Sequence, residues 1–208
     1  MAPGSGRTLI TAGFTAIITG SVAMLTLHAG ADLSPLHTLI SEYAFIAEGW
    51  LLEASLTLLG VGAVLFGWVA FRRGADVGAA LLVALWGLCI LLVGAFPTDA
   101  PGLPLSLSGG IHRYAALVAF IAMPLAGLLI AGRYRDSRWA RRVRHLSVAA
   151  SGALVLVVMP YIIRMFGIEI SNEDIPAGLA QRLVVITEVG VLAMLGFWLK
   201  SPGKSGKR

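Results

Sequence analysis

Eight ionisable side chains fall within or beside long apolar runs: Glu42, Glu53, Asp99, His112, Arg113, Arg164, Arg182 and Glu188. An ionisable group inside such a run costs about 2.5–3.5 kcal/mol on insertion scales, so it normally faces a partner or a water-filled cavity. Asp99 and His112 flank one short loop and have the types of an acid/base pair. Glu188, deep in the last apolar run, would need a raised carboxyl pKa to transfer protons. Glu42, Glu53, Arg113, Arg164 and Arg182 form a second, ligand-binding set, because the planar guanidinium fork matches carboxylate and phosphate oxygens. The same charges can also neutralise one another in a structural ion-pair network, and at the level of sequence both readings stand.

Metal and nucleophile chemistry have weaker signals. His28, His37 and His112 with Asp99 have donor types for zinc, but no pair has the i, i+4 spacing of a helical zinc motif, so no metal site is expected. Cys89 is the only cysteine and has no partner for an internal disulfide. The chain has no Gly-x-Ser-x-Gly, phosphate-loop or dinucleotide fingerprint, and no cofactor is expected.

The elements that must position these groups follow from hydropathy. The chain is 57% hydrophobic and only 13% charged, with a mean hydropathy of +0.84, whereas soluble domains carry about 25% charged residues. Apolar runs near 8–28, 49–71, 77–96, 110–132, 146–166 and 179–199 are each long enough to cross a bilayer. The expected fold is all-α, a polytopic bundle of six transmembrane helices in one integral-membrane domain. In this arrangement thirteen of the sixteen Lys and Arg residues fall on one side, including Arg72, Arg73, the 133–145 stretch and the tail at 200–208. The positive-inside rule then places both termini in the cytoplasm, in the inner membrane. The net charge of +5 is thus a topology signal that points to membrane lipids, with no nucleic-acid partner.

Several local expectations follow. The first run is too long for a signal-peptide core of about 7–15 residues, so it reads as a retained helix. Residues 29–48 read as an outer amphipathic segment over the bundle, with Ser34 as N-cap and Pro35 at the first helical position. The basic 133–145 stretch reads as a loop lying on the inner leaflet as an amphipathic segment with Trp139, and 167–178 as an acidic outer loop with Glu169, Glu173 and Asp174. Gly60, Gly62 and Gly67 allow close helix contact, and the one tryptophan of the third run reads as packing. At 1.5 Å per residue Glu188 lies about 13–14 Å inside the sixth helix. The Gly94–Arg113 stretch forms a roof above it.

Four motifs carry a resemblance: Ile40-Ser41-Glu42-Tyr43, Gly94-Ala95-Phe96-Pro97-Thr98-Asp99, His112 with Ala115-Ala116, and Gly178-Leu179-Ala180-Gln181-Arg182-Leu183. In these the chain resembles the uncharacterised bacterial and archaeal six-helix membrane family called domain of unknown function 998. It is more loosely similar to the Frag1/DRAM/Sfk1 membrane proteins. The resemblance implies six helices and an outward polar cluster, and no reaction; the looser one tilts expectation toward lipid. The leading expectation is a non-enzymatic protein binding a lipid or other amphiphile in an outward-facing polar pocket. The alternatives are an intramembrane acid/base enzyme on an acyl or prenyl lipid, or a structural subunit with a membrane-protein partner or as a homo-oligomer.

Overall fold

The computed structural model describes residues 3–134, 137–168 and 174–200. Six helices account for most of them: α1 Pro3–Gly30, α2 Trp50–Arg72, α3 Val77–Ala95, α4 Leu107–Arg133, α5 Arg138–Met165 and α6 Ala177–Lys200. Each contains a stretch long and apolar enough to span a membrane, and no strand occurs among the described residues. Consecutive helices pack on one another, while α6 also touches α1, α2 and α4 and so closes the bundle. One end carries the 31–49 connection and the α3–α4 loop; at the other, Arg73 donates to the Leu199 carbonyl.

Helix starts follow side-chain chemistry. Asp76, Ser106 and Ser137 each accept from the backbone N–H three residues on, at 2.9–3.0 Å, satisfying an otherwise orphaned donor. Where α2 crosses α3, a Cβ at Gly60 would stand 2.8 Å from the Gly87 carbonyl oxygen, and one at Gly87 2.7 Å from that of Gly60. The glycines therefore set the closest backbone approach in this pair, as expected for Gly60. Trp86, Phe66, Met123 and Leu192 fill the main core. A separate small core of Leu27, Ile40, Tyr43 and Leu52 lies under the 31–49 connection.

Two segments differ from the sequence expectation. The basic stretch is no separate loop from Arg138 onward. It forms the first two turns of α5, because Ser137 caps it and Ala140, Val143 and Ser147 bury one continuous face while the arginines stay exposed. Nor does Ser34 start a helix. After a single turn closed by the Thr38 N–H to the Ser34 carbonyl, regular structure is limited to a 3-10 helix, Ile40–Phe45, that starts after Leu39. The cause is tertiary: backbone groups that a helix would use internally are bonded to α6 instead.

Candidate functional site

The start of α6 holds the 31–49 connection like a post holding a strap. Leu179 N–H donates to the Leu36 carbonyl at 3.0 Å, and Ile40 N–H donates to Gln181 Oε1 at 2.6 Å. His37 Nδ1 lies 3.1 Å from the Ile175 carbonyl. Arg182 reaches back through the same gap: one terminal nitrogen donates to the Thr38 and Gly178 carbonyls at 2.8 and 3.0 Å, the other to the Tyr43 hydroxyl at 2.9 Å. Its guanidinium carbon stands 5.4 Å from the centre of the Tyr43 ring. His28, near the end of α1, stacks on that ring at 4.5 Å and donates from Nδ1 to the Met24 carbonyl at 2.8 Å.

Two polar atoms of this cluster remain unspent. Among the described residues, buried Arg182 Nε and His28 Nε2 have no hydrogen-bond partner. A buried donor or acceptor without a partner costs about 1–3 kcal/mol. Tyr43, between them in the structure, is fully buried. Glu42, next to Tyr43 in the 3-10 helix, accepts from the Leu39 N–H at 3.3 Å. Burial raises its carboxyl above the ordinary value, against the opposing effect of that N–H.

The α3–α4 loop is built differently. Asp99 accepts from the Ser106 N–H at 3.0 Å, and hydrogen bonds from the Ser106 side chain and backbone hold its carboxyl below the ordinary carboxylate value. His112 Nδ1 turns to the carbonyls of Val93 and Phe96, at 3.1 and 2.9 Å, where α3 ends. Ser108 donates to the Pro97 carbonyl at 2.9 Å. Asp99 and His112 therefore close opposite ends of one hairpin, and neither has a hydrogen bond to the other or to Arg182.

Glu188 is fully buried halfway along α6, where Oε2 accepts from Trp86 Nε1 of α3 at 2.9 Å and Oε1 has no partner among the described residues. Trp86 is thus more than packing, and sequence reasoning missed it. The available signal was its indole N–H: a buried donor in an otherwise apolar helix demands an acceptor. Of the ligand-binding set, only Glu42 and Arg182 meet at the strap. Glu53, Arg113 and Arg164 are exposed on α2, α4 and α5, with Arg164 over the Tyr161 ring at 5.7 Å. Glu169 and Glu173 lie outside the described residues, as do Arg135, Asp136 and 201–208. Among the described residues no three His, Cys, Asp or Glu side chains gather as a metal set.

Six spanning helices around a buried apolar core, with polar groups concentrated at the helix ends, define a multi-pass integral membrane protein. Within that class, residues 10–198 match the family described as Protein of unknown function (DUF998), and the chain belongs to it. No curated protein and no solved structure matches the chain.

Proposed function

We propose that this inner-membrane protein binds a lipid or other amphiphile by its oxyanion, at the outward end of α6, with Arg182 as the anchoring cation. The observation that carries the reading is the unpaired state of the guanidinium: among the described residues its bonds run to neutral oxygens and its buried Nε has no partner. A cation in this setting gains from an anion that supplies charge and a further acceptor; a hydrogen bond to a charged group contributes about 1.5–3 kcal/mol. Orientation follows from Arg72, Arg73, Arg133 and the arginines of 138–144, which share the opposite end and mark it as cytoplasmic, with both termini.

His28 adds a preference. A carbonyl only accepts, so Nδ1 carries the proton in its bond to Met24, and the neutral ring offers Nε2 as an acceptor. That suits a headgroup with a hydroxyl as well as an oxyanion. For an acid/base reading, Asp99 and His112 spend polar atoms on backbone groups; Glu188 keeps one buried oxygen without a partner among the described residues but shares the other with Trp86 in the main core, away from the strap.

Native mass spectrometry of protein released from bilayers of mixed phosphatidylglycerol and phosphatidylcholine tests the reading. The expected result is retained phosphatidylglycerol that falls by about tenfold or more in Arg182→Ala, the equivalent of about 1.4 kcal/mol, and recovers partly in Arg182→Lys. Equal retention by wild type and Arg182→Ala, both folded, would defeat it.

A further inference from the structure

The Arg182 site is already occupied, by the chain itself. We infer that residues 35–43 act as an internal competitor for the ligand: the Thr38 carbonyl and the Tyr43 hydroxyl hold the N–H donors that an oxyanion would take, so binding and strap release are one exchange. This rests on the reading of Arg182 as the anion anchor and adds the regulation of that site.

Three features support the exchange. The strap's hold on α6 is polar and concentrated: Leu36, Thr38, Ile40 and Tyr43 bond to groups of Leu179, Gln181 and Arg182, all within about one helical turn. The strap's own Ile40 and Tyr43 meet Leu27 of α1 and Leu52 of α2 in a small core distinct from the main one, so lifting the strap gives up that small core and leaves the main core closed. Finally, Arg182 Nε and His28 Nε2 are buried without partners among the described residues, so strap release adds two further polar atoms to those a headgroup can engage.

Gly178 shows how tightly the closed state is fitted. A Cβ there would lie 2.4 Å from the Thr38 carbonyl oxygen and 2.9 Å from that of Pro35, closer than real Cβ contacts allow. Gly178→Ala is therefore a wedge against the strap, and because the same Cβ would lie 2.8 Å from Arg182 Nη1 it also crowds the guanidinium, so Gln181→Ala is the cleaner release of the strap. Where only a fraction of molecules is binding-competent, apparent affinity falls by that fraction. Releasing the strap removes this loss.

The test uses the full chain in phosphatidylcholine nanodiscs, titrated with phosphatidylglycerol or with inorganic phosphate, while amide hydrogen exchange is followed over 36–43. In wild type, phosphatidylglycerol should speed exchange across the strap. Gln181→Ala, which removes only the acceptor for Ile40 N–H, should speed it without ligand and bind phosphatidylglycerol a few-fold more tightly. Gly178→Ala should speed strap exchange further, as the check that the strap is what opens. Competition by inorganic phosphate supports an oxyanion site open to either source; its failure beside tight lipid binding supports a headgroup site. Faster strap exchange with unchanged affinity overturns the competition and leaves the Arg182 site standing. Binding that is equal in wild type and Arg182→Ala overturns the site itself.

Discussion

The α3–α4 hairpin and the strap on α6 lie at the same end of the bundle and contain similar side chains, yet their polar groups are used in opposite ways. In the hairpin the partners are near in sequence: Asp99 and Ser106 are seven residues apart, Ser108 and Pro97 eleven, His112 and Val93 nineteen. At the strap they are 138 to 144 residues apart. Local pairing lets a short loop satisfy itself before the bundle closes. The strap cluster forms only when α1, the 3-10 helix and α6 meet, and two buried atoms are left over there. Residue types that suit catalysis are thus poor guides by themselves; what remains unsatisfied after folding is the better one.

The contrast predicts that hairpin changes act on stability and strap changes on binding. The largest stability effect is expected at His112, buried against the carbonyls that end α3. His112→Leu leaves those carbonyls without their side-chain donor and should cost about 1–3 kcal/mol in thermal unfolding in detergent, with co-purifying phosphatidylglycerol unchanged. Lipid loss in a folded His112→Leu protein would break the division and draw the hairpin into the site.

Asp99 sharpens the same side with a smaller, pH-dependent effect. Its folded-state carboxyl lies below the ordinary value through the Ser106 bonds. The folded chain therefore resists protonation more than the unfolded chain. The stabilisation is fully present above the ordinary carboxylate value of about 4 and is lost as pH falls through the depressed folded value. Melting temperatures across that acid window should fall for wild type and lose this slope in Asp99→Asn, whose side chain cannot ionise. An unchanged slope would mean that other groups govern acid stability there.

Much of this fold was legible because a bilayer imposes so simple a rule: apolar runs of sufficient length become helices, and the six expected runs correspond to α1–α6. The misreadings occurred where tertiary bonds overrode local signals. Ser34-Pro35 has the chemistry of a helix start, but α6 takes the backbone groups of Leu36, Thr38 and Ile40. The arginines of 138–144 looked like a loop because hydropathy registers charge, whereas Ser137 and the buried Ala140–Val143 face continue α5 through them. Of the candidate residues, the motifs containing Glu42 and Arg182 belong to the strap contact. The joining of Glu188 to Trp86 was not legible, since spacing along a helix says nothing about which neighbour lies across the bundle.

Glu42 offers the smallest effect and the finest test of the strap. Its folded carboxyl is raised, with burial the main cause, so the docked strap binds a proton more readily than the released one. Here the sign is opposite to that of Asp99: docking strengthens as pH falls through the raised value, and above it the charged carboxylate weakens docking in full. After correction for intrinsic exchange, amides of 36–43 should exchange a few-fold more slowly in mild acid than at neutral pH. Glu42→Gln keeps an acceptor for the Leu39 N–H and removes the charge. At neutral pH it should slow strap exchange, abolish the pH dependence and, by holding the competitor in place, weaken phosphatidylglycerol binding. Slower exchange with binding unaltered would separate strap docking from ligand access, since the same Arg182 donors would then not be shared between them.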